Sequence, residues 1–231
     1  MRLPRAPSRH YAPVNSQMKI FDISRPLFNG LAPWPGDTAF RFDLKWRMAE
    51  GASVNVGAVE MGVHNGTHAD APFHFNANAS SIEKMPLETY LGDAVVVDLT
   101  NAFATDDWRE IATTDLESSV AALLAAPRLL LKTGAWRDAA IFPERIPVIA
   151  GDVAAWLGQR NVKLLGLDLP SVDPIDSKTL TNHHALAAAG IAIVESLDLS
   201  AVDAGTYHFS ALPLRISGGD AAPVRAVLWQ D

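Results

Sequence analysis

The sequence predicts an α/β protein with a mixed sheet curled toward a barrel, and three observations predict it. Four continuous apolar runs, at 94–99, 128–132, 162–167 and 191–194, have the length and the leucine and β-branched content of strands buried on both faces. Two helical candidates, 152–160 and 181–189, fall between the last three of these runs, the second closed by Gly190 in a C-cap position. Segments near both ends alternate apolar with polar residues, as antiparallel strands with one wet face do.

In chain order, a short strand at 19–23 leads into a loop over 27–37, where Asn-Gly and Pro-Gly pairs mark turns around Trp34. Phe40, Phe42 and Leu44, then Val54, Val56 and Ala58, alternate with polar or small neighbours and predict two half-buried strands. The four buried strands and two helices follow. The tail, 207–216 and 224–229 around a Ser-Gly-Gly-Asp turn, predicts a hairpin-like pair.

The 231 residues carry no linker composition, so one domain is expected over 18–231. Residues 1–17 are arginine-rich, hold three prolines and lack an apolar core of the signal-peptide type. They predict a flexible extension, with Met18 a candidate natural start. The formal charge of −7 argues against nucleic acid or an anionic membrane as partner. No apolar stretch approaches the ~20 residues of a membrane span, and a cytoplasmic location is expected. Cysteine is absent, which leaves imidazole and carboxylate to hold any metal.

The densest chemistry lies in His64-Asn-Gly-Thr-His68-Ala-Asp70-Ala-Pro-Phe-His74, which holds three of the seven histidines. All four ionisable groups sit at even positions, so an extended chain would present them on one face. Gly66 and Pro72 disfavour a helix. A straight strand fails as well, because His64 and His74 would then be roughly 33 Å apart, whereas His68 and Asp70 would be about 6.6 Å apart. The chain is therefore expected to curl at Gly66 and again near Pro72, gathering His64, His68 and Asp70 at a metal, with His74 a ligand, acid or base. A second cluster, His183-His184 on the last helix and Glu195 after an apolar strand, offers what a two-metal site would still need; a carboxylate there is costly unless solvated, paired or bound to a cation.

With the downstream His183 and Gly190-Ile-Ala-Ile-Val-Glu195, this motif resembles the cyclase-like metal-dependent hydrolases, a family that includes bacterial kynurenine formamidases. The Trp34-Pro-Gly-Asp37 loop, Asp168-Leu-Pro-Ser-Val-Asp-Pro, Asp176-Ser-Lys-Thr-Leu180 and the His183-His184 pair look like the formamidase branch. The resemblance covers essentially 18–229 and implies a swivelling β/β/α fold, in homodimers or higher homo-oligomers whose partner chains help to line the site. It implies two divalent ions on His64, His68, Asp70, His183 and Glu195, with His74 as the proton-transfer residue and Trp34 near the substrate. His183 rather than His184 is expected as the ligand, because its separation from Glu195 fits the family pattern. Zinc is the expected metal, although such a donor set also takes Mn²⁺ or Fe²⁺. The implied reaction is hydrolysis of an aryl formamide, N-formyl-L-kynurenine, in tryptophan breakdown. A related amide hydrolase of the isatin-opening kind, or a non-catalytic metal-binding protein, are the alternatives. Asp168, Asp173, Asp176 and Ser177 are of residue types common in turns and caps, and no catalytic role is expected for them.

Overall fold

A computed structural model describes residues 18–105 and 109–230. The expectation of a flexible extension over 1–17 lies outside the described residues. The strands, in chain order, are β1 (Lys19–Asp22), β2 (Arg41–Trp46), β3 (Val56–Glu60), β4 (His68–Asp70) and β5 (Leu91–Asp98). Two short helices, α1 (Thr113–Leu116) and α2 (Val120–Leu123), precede β6 (Arg128–Lys132). Then come α3 (Val153–Gly158), β7 (Leu164–Leu167), α4 (Thr181–Ala188) and β8 (Ala192–Glu195), followed by β9 (Gly205–Ser210), β10 (Ala221–Pro223) and β11 (Val227–Gln230).

Nine strands form one mixed sheet in the order β1-β11-β9-β5-β6-β7-β8-β4-β10. Its centre, β5 to β8, is parallel, and every outer pairing is antiparallel. The continuous apolar runs are explained by burial on both faces. Val95, Val97, Leu129, Leu131, Leu165 and Ile193 face a layer that contains Val153 and Leu157 of α3 and Leu186 of α4. Val96, Leu130, Leu164 and Val194 face inward, where the sheet curls and the outer strands supply Ala69, Phe209, Ala222 and Leu228.

The differences from expectation have local causes. The β2–β3 pair stands apart as a ribbon, and it is exposed rather than half-buried: Phe42, Trp46 and Val59 are 44%, 59% and 58% accessible. Alternation in those segments reports a pleat without a core beneath it. The tail pairs as expected, with Val227 opposite Ser210, but β9 begins at Gly205 and 211–216 leave the ladder. Between β9 and β11 lies β10, which the sequence does not announce. It pairs with β4, Ala221 opposite Asp70. Glu195 ends β8 rather than following it. Among the described residues, no helix is long and apolar enough to cross a membrane.

Candidate metal centre

The first motif folds as a curl around a three-residue strand. Gly66 takes φ +66°, a conformation strained for any residue with a side chain, and a Cβ there would also push Leu27 Cδ2, 2.7 Å away, aside. β4 then runs straight for His68, Ala69 and Asp70, and Pro72–His74 turns as a 3₁₀ helix. Strand alternation sends Ala69 into the inward core and leaves His68 and Asp70 on the opposite side. In the ladder His68 stands opposite Glu195, which brings the two clusters of the sequence onto neighbouring strands.

Asp70 is the hub. Its Oδ1 lies 3.2 Å from His64 Nδ1 and 3.4 Å from His68 Nε2, and its Oδ2 lies 3.5 Å from His183 Nε2. Glu195 closes the group, Oε2 at 3.5 Å from His68 Nε2 and Oε1 at 3.5 Å from His183 Nε2. Potential ligand atoms thus fall into two triplets that share Asp70: His64, His68 and Asp70; then Asp70, His183 and Glu195.

Each imidazole has its outer nitrogen tied to an acceptor. His68 Nδ1 donates to the Gly66 carbonyl at 3.0 Å, His183 Nδ1 to Asp173 Oδ2 at 2.6 Å, and His64 Nε2 to Asp220 Oδ2 at 3.0 Å. These bonds leave the inner nitrogens as lone-pair donors aimed at the hub, as metal-ligating histidines require. His68 Nε2 and both Asp70 oxygens are buried yet make no hydrogen bond. Orphaned buried polar atoms are costly, and here a lone-pair nitrogen faces carboxylate oxygens. A cation satisfies them together, so the donor set fits divalent metal. Its electrostatics agree. Burial opposes the charged form of His68 and His183, but the facing carboxylates outweigh it and push their pKa values up to about 10 and about 12. Burial likewise opposes the charge of Asp70, and the imidazoles of His183, His64 and His68 crowded against it override that and hold Asp70 well below the carboxylate range.

A cavity of about 370 Å³ opens over this floor, within the usual range for small-molecule sites. His74 lies at its edge, partly exposed, with its ring 4.2 Å from that of His64 and Nδ1 3.4 Å from Asp220 Oδ2. Burial lowers its pKa, with Asp70 pulling the other way. Trp34 lines the cavity and packs edge-on against Phe142 at 5.2 Å; Phe142 packs likewise against Trp136 at 5.9 Å. Three aromatic rings therefore form one wall, of which the sequence singled out only Trp34. His184 is exposed and lies outside both triplets.

The second tier is mostly residues the sequence passed over. Asp173 accepts from the backbone N–H groups of Asn182 and His183 at 2.9 and 3.0 Å, besides the His183 ring, so it caps α4 from a distance. Asp168 accepts from Thr133 and from the Gly134 N–H, and Arg25 donates to the Asp168 and Trp136 carbonyls while stacking 4.0 Å above the Trp136 ring. That pair holds the turn that presents Trp136. Thr67 donates its hydroxyl to the Ser196 carbonyl at 2.7 Å, tying the residue before His68 to the residue after Glu195. Ser196 takes φ +60°, a strained conformation for a residue with a side chain, beside the ligand it follows. Asp220 immediately precedes β10, at the end of the Ser-Gly-Gly-Asp turn, and nothing in that turn marks it as part of the site.

Comparison with known proteins agrees with this geometry. The Cyclase family model matches residues 21–174. A kynurenine formamidase of Bacillus cereus is 42% identical over 207 residues, covering 90% of this chain and 95% of that protein. Another, from Geobacillus thermodenitrificans, is 44% identical over 209 residues with the same coverage. Among solved structures, one described as a potential metal-dependent hydrolase with cyclase activity aligns with TM-score 0.74 and 27% identity over 93% of this chain and 98% of that one. Isatin hydrolase A from Labrenzia aggregata, solved with benzyl benzoate, shares the fold at TM-score 0.77 and 22% identity over 92% of this chain and 93% of that one. The chain belongs to the Cyclase family of metal-dependent hydrolases, in the branch of the kynurenine formamidases.

Proposed function

We propose that the chain hydrolyses N-formyl-L-kynurenine to L-kynurenine and formate, with two divalent ions held by His64, His68, Asp70, His183 and Glu195. The observation that carries the metal part is the set of buried, unpartnered atoms on His68 and Asp70, facing Glu195 and His183 at the floor of the cavity. Two triplets that share Asp70 support two ions. The names of the relatives and the aromatic wall support an aryl formamide. Zinc is proposed because mixed imidazole and carboxylate donors suit it, as they also suit Mn²⁺ or Fe²⁺.

Divalent ions bound there would supply Lewis acidity, which lowers the pKa of a water from 15.7 to about 7 and polarises a carbonyl oxygen. The rest falls to the chain. Trp34, Phe142 and Trp136 take the flat face of the aryl ring and exclude water from it. His74, kept neutral near pH 7 by its lowered pKa, takes the proton released as water adds to the formyl carbon. It returns that proton to the aniline nitrogen as the C–N bond breaks, so the amine leaves neutral. Asp173 and the Gly66 carbonyl keep His183 and His68 in the tautomers that face the hub.

An assay of purified, zinc-loaded protein on N-formylkynurenine, isatin and a simple aryl ester, each with and without chelator, tests the proposal. Chelator-sensitive turnover with the highest kcat/KM on the formamide is expected. Preference for isatin would reassign the substrate to a cyclic amide, and no turnover at all would leave a metal-binding protein. A homodimer or higher homo-oligomer belongs to the same proposal: the β2–β3 ribbon exposes Phe42 opposite Val59 and Trp46 opposite Val56, apolar side chains of the kind that interfaces cover. A cytoplasmic location rests on the sequence alone, and cell fractionation tests it.

A further inference from the structure

One oxygen of Asp220 hydrogen-bonds one histidine and lies beside a second. Oδ2 lies 3.0 Å from His64 Nε2 and 3.4 Å from His74 Nδ1, and the two rings sit 4.2 Å apart at a 43° tilt. The residue reaches this place by strand register. Ala71 donates its N–H to the Asp220 carbonyl at 2.9 Å, and Ala221 stands opposite Asp70 in the β10–β4 ladder. Sheet pairing thus holds the Asp220 backbone against the segment that carries His68, Asp70 and His74.

We propose that Asp220 is a positioning residue that sets the tautomers of His64 and His74 together, coupling metal retention to proton transfer. A carboxylate oxygen has two acceptor sites, enough for both N–H groups. With Nε2–H donated to Asp220, His64 keeps the Nδ1 lone pair aimed at Asp70 Oδ1, 3.2 Å away. The same oxygen lies 3.4 Å from His74 Nδ1, close enough for its charge to favour the proton on that nitrogen, which leaves Nε2 as the lone pair to take a proton from water and return it to the leaving amine. Losing the carboxylate frees both rings to flip or change tautomer, and each function suffers at once.

The competing assignment is a separate ion on His64, His74 and Asp220, whose nitrogen and oxygen atoms also lie close together. Two features weigh against it. His64 already directs Nδ1 at Asp70, so serving both groups would strip its ring of both protons. The Asp220 and His74 side chains are 42% and 31% accessible, whereas His68, Asp70, His183 and Glu195 are buried. Water competes at the first set and not at the second.

The proton-transfer half rests on the formamidase reading; the metal half does not, and the experiment separates them. Asp220→Asn and Asp220→Glu are compared with the parent in three measurements: zinc stoichiometry at saturation, the rate of zinc release into excess chelator without substrate, and kcat and KM on N-formylkynurenine. Unchanged stoichiometry, faster zinc release and a kcat lowered on the order of 10- to 100-fold with KM within about threefold are expected, the size typical of groups that orient metal ligands. At saturating zinc, adding Asp220→Asn to His74→Ala should lower kcat no further than His74→Ala alone. One zinc fewer at saturation would make Asp220 a ligand and overturn the proposal. So would a raised KM with unchanged kcat and zinc release, which would make Asp220 a substrate contact. Should the parent fail to turn over N-formylkynurenine, the substrate reading falls while the zinc-release comparison still decides the His64 half. Melting of the metal-free proteins controls for folding, and if the Asn variant melts early the Glu variant carries the comparison.

Discussion

Replacing Asp173 by asparagine should loosen the metal and the helix that brings His183 to it. The Asp173 carboxylate is 2% accessible and accepts three bonds, from the Asn182 N–H at 2.9 Å, the His183 N–H at 3.0 Å and the His183 ring Nδ1–H at 2.6 Å. Asparagine is nearly the same shape but has one acceptor oxygen. If that oxygen stays with His183, its amide group faces the Asn182 N–H, donor against donor, and a buried donor is orphaned at a cost of about 1–3 kcal/mol. For a chain of this length that is a fall in melting temperature of about 2–4 °C per kcal/mol. Loss of the charge also weakens the hold on the His183 tautomer. Partners of this kind are worth 10- to 100-fold in metal affinity, or about 1.4–2.8 kcal/mol. Zinc competition against a chromophoric chelator, beside melts of the metal-free protein, separates the two effects. Zinc binding within about a factor of two of the parent would refute the claim that Asp173 prepares His183 for metal.

Four further outcomes are expected. His74→Ala should keep bound zinc near the parental amount while kcat falls about 10²- to 10⁴-fold, the usual worth of a positioned acid–base group; metal loss matching that of His68→Ala would instead make His74 a ligand. Trp34→Ala should raise KM for an aryl formamide several-fold, about 1 kcal/mol of ring contact, and an unchanged KM would remove Trp34 from the substrate wall. The metal-free protein should lose stability as pH rises from 6.5 toward 10, because the folded-state pKa of His68, about 10, and that of His183, about 12, lie above the ordinary histidine value. Zinc must displace the protons those rings hold, which costs less as pH rises, so zinc binds more tightly and the melting shift it causes should grow with pH; a shift that shrinks from pH 6.5 to 9 would contradict the assignment. Trp46→Glu, on the exposed ribbon, should lower the oligomeric mass seen by light scattering without changing the melt of the isolated chain, and an unchanged mass would exclude the ribbon as an interface.

Much of the site was legible because its pieces are local. Parity, Gly66 and Pro72 together imply a curl around His68 and Asp70, and strand β4 flanked by a positive-φ glycine and a 3₁₀ turn has that shape. The buried parallel strands were legible for a similar reason, since burial on both faces demands uninterrupted apolar runs. What escaped notice depends on contacts between distant segments. Asp220 enters through β10, a three-residue Ala-Ala-Pro strand without a periodic signal, and only its pairing with β4 gives it a place. Asp173 stands before a proline and looks like a turn residue until α4 is seen to begin beneath it. Trp136 is one of six tryptophans; its role rests on Arg25, more than a hundred residues earlier, stacking behind it. The ribbon shows the opposite failure, where a clean alternation predicts burial and Phe42, Trp46, Val56 and Val59 stay exposed.

The floor and the wall of the cavity are built from different kinds of chain. His68, Asp70 and Glu195 stand on paired strands, where a slip of one residue would turn His68 into the core and Ala69 toward the cavity. Trp34, Phe142 and Trp136 sit on segments outside the named strands and helices, anchored by a few side-chain and carbonyl bonds. Change in this protein is therefore unequally permitted. Substitution or insertion in the wall can reshape what is admitted while the ladder keeps the reactive groups in place, so a lineage can acquire new substrates without reinventing its chemistry. An engineer seeking a different amide has the same freedom, and the same boundary to respect.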